Sequence, residues 1–223
     1  MIPLRDSTRS VSSPLVVYLI IAVCVAVFLY SQSLGGEAAQ AFYLTYGAIP
    51  EAVTSGAWPE AGIGLITSMF LHGSWLHLGG NMLYLWVFGD NIEDAMGHGR
   101  FVVFYLLTGV IAAVAHILLQ PLSTAPLVGA SGAIAGVLGA YLVLYPRARI
   151  QSLLILGWFW RVAELPAVLV LSVWFLFELA QATLSLGAPA VASIAFWAHV
   201  GGFAAGAILI RVFTVGRSTT RHL

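Results

Sequence analysis

The chain of 223 residues is 60% hydrophobic and only 8% charged, and its formal net charge at pH 7 is zero. Soluble domains carry about 25% charged residues, so this composition cannot cover a water-facing surface and indicates an integral membrane protein. The single cysteine, Cys24, lies in an apolar run, which excludes a disulfide framework and a thiolate metal site. We interpret Cys24 as a small apolar packing residue.

Apolar runs of about 20 residues recur along the chain, which is typical of membrane-spanning helices. They predict an all-α fold class, a bundle of six transmembrane helices with a short central helix. The expected domain covers residues 14–213, with spans at about 14–31, 75–94, 101–119, 131–145, 166–184 and 194–213, between tails at 1–13 and 214–223. We expect short interfacial helices in the loop over 32–74 and a short apolar connector at 150–164. The first run lacks a clear cleavage site, which indicates a retained span rather than a removed signal peptide.

The arginines support this count of spans. Cytoplasmic loops of membrane proteins carry an excess of positive charge. With six spans, one side receives all the arginines, namely Arg5, Arg9, Arg100, Arg147, Arg149, Arg161, Arg211, Arg217 and Arg221. We therefore expect both termini in the cytoplasm and the loop over 32–74, which holds glutamates but no arginine, on the outside.

The fourth predicted span, 131–145, is short and rich in small residues. About 15 helical residues rise roughly 22 Å, against a hydrocarbon core of about 30 Å. Arg147 anchors the inner end, so Ser131, the first residue, is expected below the outer surface under a water-filled cavity. Gly132 and Gly136 remove side-chain bulk from one face, so a neighbouring helix can approach almost to backbone contact.

Three further polar side chains are predicted at the depth of Ser131. His77 and Asn81 lie four residues apart on one face of span 2, and His199 lies near the start of span 6, before a Gly-x-x-x-Gly pair. The glycine-lined faces of spans 4 and 6 are expected to pack together and to bring His199 beside Ser131. Polar groups inside a membrane are costly, so their convergence indicates a functional site.

These residues fit nucleophilic catalysis. A serine hydroxyl is a poor nucleophile unless a base takes its proton, and His199 is the best-placed base for Ser131. The Ser131 backbone N–H, at a helix N-terminus, would stabilise the oxyanion together with the side chains of His77 and Asn81. No acidic residue lies at the right depth beside His199 in the sequence, so we expect a dyad without a carboxylate. Glu178 in span 5 has no obvious partner, and two positions are open for it, one facing the cavity and one facing the substrate gap.

The remaining polar residues are predicted to have other roles. His72 is expected to be structural or cavity-lining, and His116 to be interfacial. Glu93 is expected to tie the inner turn to Arg100 or to nearby helix N-termini. There is no His-Glu-x-x-His motif and no carboxylate at ligand spacing from the site histidines, so we expect no metal and no other cofactor. Solvated positions are expected for His98 and His222.

Four sequence blocks carry a resemblance to a known family. They are residues 72–81 (HGSWLHLGGN), then Gly89, Glu93 and Gly97 in the inner turn, residues 129–132 (GASG), and residues 198–206 (AHVGGFAAG). In this order and at consistent depth, they resemble the rhomboid intramembrane serine proteases of the prokaryotic six-span type. The resemblance covers essentially the whole six-span core.

The resemblance implies a rhomboid-like fold in which Ser131 is the nucleophile, His199 its base, and His77 and Asn81 assist the oxyanion. It also implies that the loop at about 185–193 caps the site and that span 5 flanks substrate entry.

Two departures from the family pattern stand out. Ala135 stands where some members have a tyrosine stacked on the catalytic histidine, so another group must orient His199. The Trp-Arg pair of the first loop is missing, and Trp58-Pro59 is its nearest equivalent.

The favoured function is a cofactor-independent serine endopeptidase of a bacterial or archaeal plasma membrane. Its expected partners are the lipid bilayer and single-span transmembrane substrates, cut at a small residue near the outer face, with no nucleic acid. The alternative is an inactive relative that holds membrane clients, which the presence of both Ser131 and His199 disfavours. A channel or transporter is disfavoured because no polar track continues through the inner halves of spans 4 and 6.

Overall fold

The computed structural model describes residues 1–56, 60–186 and 195–216. The helices are α1 (Leu15–Leu34), α2 (Gly36–Tyr46), α3 (Pro50–Thr54), α4 (Glu60–Thr67), α5 (Trp75–Met96), α6 (His98–Leu119), α7 (Ser131–Leu144), α8 (Ala167–Ser185) and α9 (Phe196–Phe213). The strands are β1 (Ile2–Asp6), β2 (Arg149–Leu156) and β3 (Phe159–Pro166). A 3₁₀ turn, Ser68–Phe70, follows α4. Helices α2, α3 and α4 are the short helices predicted in the first loop.

The long apolar helices identify a multi-pass membrane protein. Within the described part of the chain, α1, α6, α8 and α9 are each long and apolar enough to cross a bilayer. Helix α7 is apolar but has only 14 residues. Helix α5 has 22 residues and carries three carboxylates near its end, on Asp90, Glu93 and Asp94. A helix therefore lies at each position predicted for a span, and the crossing of the bilayer by all six stays a prediction.

Helix α7 lies at the centre of the bundle. Its residues from Gly132 to Tyr141 are all buried, and α5, α6, α8 and α9 pack around it. An α-helix that is apolar on every side is stable only when it is enclosed, and α7 has no charged residue. Its closest neighbour is α9, where a Cβ atom at Gly202 or Gly206 would overlap a backbone carbonyl of α7. The predicted packing of two glycine-lined faces is therefore confirmed.

Residues 149–166 form an antiparallel hairpin, which corrects the prediction of a short apolar connector at 150–164, whereas the predicted bundle of helices is confirmed as the fold class. Strand β1 joins the hairpin in a three-stranded sheet of order β1-β2-β3. The two-residue loop between β2 and β3 begins at Gly157, whose φ of 61° suits the first position of a type II′ turn. The register pairs Ile2 with Leu153, Asp6 with Ile150, Arg149 with Pro166, and Leu156 with Phe159.

The buried carboxylate of Glu93 joins α5 to the start of α1. Its oxygens accept hydrogen bonds from the backbone N–H groups of Val16, at 2.9 Å, and Val17, at 2.8 Å. The first N–H groups of a helix have no intrahelical partner, and the helix dipole favours an anion there. The predicted link from Glu93 to a helix N-terminus is confirmed. Arg100 instead donates to carbonyl oxygens at the end of α9, and His98, predicted to be solvated, is hydrogen-bonded to Glu93.

A polar cluster fastens the N-terminal strand to the inner end of the bundle. The Asp6 carboxylate accepts hydrogen bonds from the Tyr141 hydroxyl, at 2.5 Å, and from Asn91 Nδ2, at 2.9 Å. Burial raises the pKa of Asp6 above its usual value, and the hydrogen bond from Tyr141 opposes that shift. Residues predicted as a cytoplasmic tail are therefore part of the folded unit.

Candidate active site

Ser131 and His199 are 68 residues apart in the sequence and are hydrogen-bonded in the structure. Ser131 is the first residue of α7, and His199 lies in the first turn of α9. His199 Nε2 is 2.8 Å from Ser131 Oγ. The close packing of α7 on α9 brings the two side chains together, in a geometry in which a histidine can accept a serine proton.

Gly129 shapes the backbone just before Ser131. Its φ of 129° lies in the region that favours glycine, and its N–H donates to the Ser68 carbonyl oxygen at 2.9 Å. A Cβ atom at this position would lie 2.7 Å from Nε2 of His77. The backbone can therefore pass this close to the His77 ring only because residue 129 has no side chain.

A cavity of about 650 Å³ adjoins Ser131, and the four predicted site residues all line it. His77 and Asn81 reach it from α5, and Ser131 and His199 from α7 and α9. Asn81 Nδ2 is buried and has no acceptor among the described protein atoms, so it is a free donor in the wall of the site. His116 also lines this cavity, which corrects its predicted interfacial position, because α6 packs along α9.

Glu178 on α8 lines the cavity, which is one of the two positions left open for it, but its pairing with His199 was not predicted. Its Oε2 atom lies 2.7 Å from His199 Nδ1, on the opposite side of the imidazole from Ser131. The expectation that no carboxylate pairs with His199 is therefore wrong. The partner comes from a different helix, 21 residues away in the sequence, and reaches His199 because α8 packs against α9.

Two aromatic rings flank His199. The ring centroid of Trp174, one turn before Glu178 on α8, lies 6.2 Å from that of His199, and Phe196 lies edge-on at 6.3 Å. Ala135, where a stacking tyrosine was missing from the predicted pattern, also lines the cavity. The ring of His199 is therefore held through its two nitrogen atoms and by these rings from α8 and α9.

His72 is buried next to the site. Its ring packs edge-on against the ring of His77, with centroids 5.2 Å apart, and burial lowers the pKa of His72 to about 4. A histidine with this pKa is neutral at pH 7. The position fits the predicted structural role.

Some predictions fall outside the described residues. The capping loop at about 185–193 lies mostly in the undescribed range 187–194, and Trp58-Pro59, Arg217, Arg221 and His222 are also undescribed. In the part of the chain that is described, no group of three or more His, Cys, Asp or Glu side chains could hold a metal ion.

The fold and the site define a multi-pass helical membrane protein in which a serine at the start of a central short helix is hydrogen-bonded to a histidine of a neighbouring helix. Residues 59–215 match the family described as Rhomboid domain. Over 130 residues, 58% of this chain, the sequence is 35% identical to the rhomboid protease GluP of Bacillus subtilis, covering 24% of that protein. It is 31% identical over 153 residues to the chloroplastic rhomboid-like protein 11 of Arabidopsis thaliana, covering 65% of this chain and 50% of that one. The chain belongs to the rhomboid family.

A third relative is the putative rhomboid protease YdcA of Bacillus subtilis, 35% identical over 92 residues, which are 41% of this chain and 44% of that protein. The chain thus spans between a quarter and a half of the length of the curated relatives it matches. Membership confirms the resemblance found in the sequence. It makes the chain an intramembrane protease or a rhomboid-like membrane protein.

Proposed function

We propose that this protein is an intramembrane serine endopeptidase in which Ser131 is the nucleophile and His199 the general base. The observation that carries the proposal is the 2.8 Å hydrogen bond between Ser131 Oγ and His199 Nε2 at the wall of a cavity within the bundle. A serine in a membrane helix needs no histidine partner for packing alone. It does need one to become a nucleophile.

The reaction begins when His199 Nε2 takes the proton of the Ser131 hydroxyl as Oγ attacks the substrate carbonyl carbon. The tetrahedral intermediate collapses as the imidazolium gives that proton to the leaving amine, and the peptide bond breaks. The acyl group remains on Ser131 Oγ. A water molecule, deprotonated by His199 in the same way, then attacks the ester and releases the second product.

The oxyanion is stabilised by donors that the bundle holds in place. The backbone N–H of Ser131 belongs to the first turn of α7, where N–H groups lack intrahelical acceptors and the helix dipole is positive. The unpaired Asn81 Nδ2 is a second donor, and the His77 ring, next to Gly129, is a third. Preorganised donors of this kind contribute a large share of the rate enhancement in acyl transfer.

The proposed substrates are transmembrane proteins cut near the outer membrane face, in a plasma membrane. The 14 residues of α7 rise about 21 Å, less than the hydrocarbon core of about 30 Å, so with its inner end at the inner surface Ser131 lies submerged in the outer half. The arginines assign both termini to the cytoplasm. A single-span substrate with a small residue at the cut fits a site reached from within the bilayer.

Purified protein in proteoliposomes tests the function directly. A model single-span substrate should be cleaved by the wild type, left intact by Ser131→Ala, and cleaved at least roughly 10³-fold more slowly by His199→Ala. The matched control is Ser33→Ala, a serine at the exposed end of α1 far from the cavity, which should cleave at the wild-type rate. Cleavage that survives Ser131→Ala would overturn the proposal.

The second candidate function is an inactive rhomboid-like protein that binds membrane clients. The intact Ser131–His199 pair argues against it. A fluorophosphonate probe discriminates the two candidates, because it labels an activated serine and no other. Labelling of the wild type and not of His199→Ala supports the protease. A folded wild type that neither labels nor cleaves, but co-purifies with the model substrate, supports the client-binding protein.

A further inference from the structure

The carboxylate of Glu178 is the far end of a chain of hydrogen bonds that leads to Ser131. Glu178, His199 and Ser131 lie on α8, α9 and α7, so three helices contribute one member each. We propose that Glu178 is a positioning residue that holds His199 in one orientation and one tautomer. This inference rests on the proposed protease function and replaces the expected dyad with a triad.

The tautomer of His199 follows from the chemistry of its two partners. A carboxylate has only acceptors, so the hydrogen between Glu178 Oε2 and His199 Nδ1, 2.7 Å apart, belongs to Nδ1. A neutral imidazole carries one N–H, so Nε2 keeps its lone pair and faces the Ser131 hydroxyl at 2.8 Å. This is the tautomer that a general base requires.

The carboxylate also stabilises the charge that appears during the reaction. When the proton of Ser131 moves to Nε2, His199 becomes an imidazolium with both nitrogens protonated. Its positive charge then lies beside the Glu178 carboxylate, at a place where little water screens the attraction. The arrangement resembles the Ser-His-Asp arrangement of soluble proteases, in which the carboxylate orients the histidine and stabilises the imidazolium.

The position of Glu178 has no simpler explanation. It is the one charged residue of α8, and its side chain is 10% exposed. Carboxylates in membrane helices are costly and mark functional sites with a specific partner. Among the described residues, the titratable groups that face the pair from other helices are His77, Tyr84 and His116, and none of the described arginines lines the cavity. His199 is therefore the partner that the described residues offer to Glu178.

Substitutions at position 178 test the proposal. Glu178→Gln keeps the shape but offers an amide that can donate to Nδ1 and so favour the wrong tautomer. We expect kcat to fall on the order of 10²- to 10⁴-fold, with KM within about threefold of wild type. Glu178→Asp keeps the charge, so its kcat should be about tenfold higher than that of Glu178→Gln. Ile208→Leu, at an exposed position of α9 outside the cavity lining, is the control and should retain wild-type kcat.

A double variant separates positioning from support of the fold. Residues that act as a unit give non-additive effects, so in the His199→Ala background Glu178→Gln should change residual turnover by less than about twofold. A full multiplicative loss would show an independent structural role and overturn the proposal. A folded Glu178→Gln variant with wild-type kcat would also overturn the proposed role of Glu178. If Ser131→Ala is inactive in the same assay, the proposed protease function still stands. Activity in Ser131→Ala would overturn both.

The tip of the β2–β3 hairpin carries a second, independent inference. Trp158, Phe159 and Trp160 are 99%, 80% and 71% exposed. Adjacent aromatic side chains in water are unfavourable, whereas tryptophan is enriched at the membrane–water interface. The hairpin lies between α7 and α8: β2 begins shortly after α7 ends, and β3 ends at the residue before α8. We infer that the tip inserts into the lipid interface of the surrounding bilayer.

The positive charge of the hairpin complements an anionic lipid surface. Arg147, Arg149 and Arg161 are exposed on or beside its strands, against the single carboxylate of Glu164. Each exposed arginine near a membrane surface is attracted to anionic head groups by about 1 kcal/mol. Aromatic side chains at the tip and arginines along the strands are the two features that an interfacial anchor uses.

A fluorescent label at the tip tests the insertion. The probe is NBD attached to Phe159→Cys in a Cys24→Ala background, in proteoliposomes containing anionic phospholipid. Blue-shifted emission that spin-labelled lipids quench is expected, with weaker quenching at Val11→Cys, an exposed position before α1. Emission as in water would overturn the inference. Unquenched emission with energy transfer between copies would also overturn it, and would assign the tip to a contact between two molecules.

Discussion

Gly202 of α9 lies so close to Gly132 of α7 that a Cβ atom on Gly202 would overlap the Gly132 carbonyl oxygen. Gly132 follows Ser131, and Gly202 lies one turn after His199, so this contact fixes the distance between the two proposed catalytic groups. A methyl group must push the two backbones apart, because neither carbonyl oxygen nor helix backbone can move aside locally.

Gly202→Ala should therefore reduce both stability and turnover. We expect a loss of roughly 1–3 kcal/mol in the free energy of unfolding from overpacking. Displacement of His199 by about 1 Å should lower kcat by about 100-fold. Thermal unfolding in detergent and cleavage of the model substrate measure the two effects. Gly79→Ala, at a helical glycine with open space around it, is the control and should stabilise by roughly 0.5–1 kcal/mol.

The two asparagines of α5 give a matched pair for the oxyanion. Asn81 faces the cavity with a free donor, and Asn91 donates to Asp6 at the inner end. Asn81→Ala should lower kcat by about 10²- to 10³-fold with little change in thermal stability. Asn91→Ala should lower the unfolding temperature and leave kcat of the folded protein unchanged. Equal kcat for wild type and Asn81→Ala would remove Asn81 from the oxyanion site.

Glu93 should be a determinant of stability and not of chemistry. Its carboxylate is fully buried and accepts two backbone N–H bonds at the start of α1. Glu93→Gln replaces one acceptor by a donor and leaves a buried N–H without a partner, so the free energy of unfolding should fall by about 2–4 kcal/mol. Thermal unfolding measures the loss. Glu164→Gln, at an exposed strand position, should change stability by less than about 0.5 kcal/mol.

The buried His72 makes stability depend on pH. Burial lowers the pKa of His72 from 6.5 to about 4, so between these values the unfolded chain binds a proton that the folded chain does not. Stability present above pH 6.5 is lost as the pH falls towards 4, by up to about 3 kcal/mol. His72→Gln should flatten the curve of unfolding temperature against pH over this range. A variant whose curve parallels that of the wild type would contradict the prediction.

The proposed topology can be read from two cysteine variants. Val11 precedes α1 and Leu122 lies between α6 and α7, and both are exposed, whereas the native Cys24 is fully buried. A membrane-impermeant maleimide should label Leu122→Cys in intact cells and Val11→Cys only after permeabilisation. Labelling of both in intact cells would contradict the three spans, α1, α5 and α6, that are predicted between these positions and that place them on opposite sides.

Much of the bundle could be predicted because a bilayer restricts the possibilities. Apolar runs must be helices there, and glycines at helical spacing leave a face that only another backbone can cover. These two rules were enough to pair Ser131 with His199 before any coordinates. The depth of each residue followed from its distance to the nearest span end.

Two features, the Glu178–His199 pair and the β2–β3 hairpin, were not predicted because hydrophobic periodicity contains no information about them. The pairing of Glu178 with His199 depends on the rotation of α8 about its axis, which an apolar helix of low amphipathicity does not specify. The usable signal was that a lone carboxylate in a membrane helix requires a partner. The β2–β3 hairpin escaped because its strands lack a regular alternation of apolar and polar residues, and Leu153 to Leu156 form a continuous apolar run. Its signal was Gly157 in the middle of an unbroken β-prone run.

The separation of 68 residues between Ser131 and His199 means that the serine is synthesised well before the histidine. At about 5–20 residues per second, synthesis of that interval takes roughly 3–14 s. During this interval the chain contains proposed transmembrane segments, which are the type of substrate proposed for the protease. These segments lie beside a serine that has no base to activate it. The base arrives only with α9, after α8 and the β2–β3 hairpin have been made. A nascent chain therefore holds no competent protease, and protection from self-cleavage follows from the order of the helices.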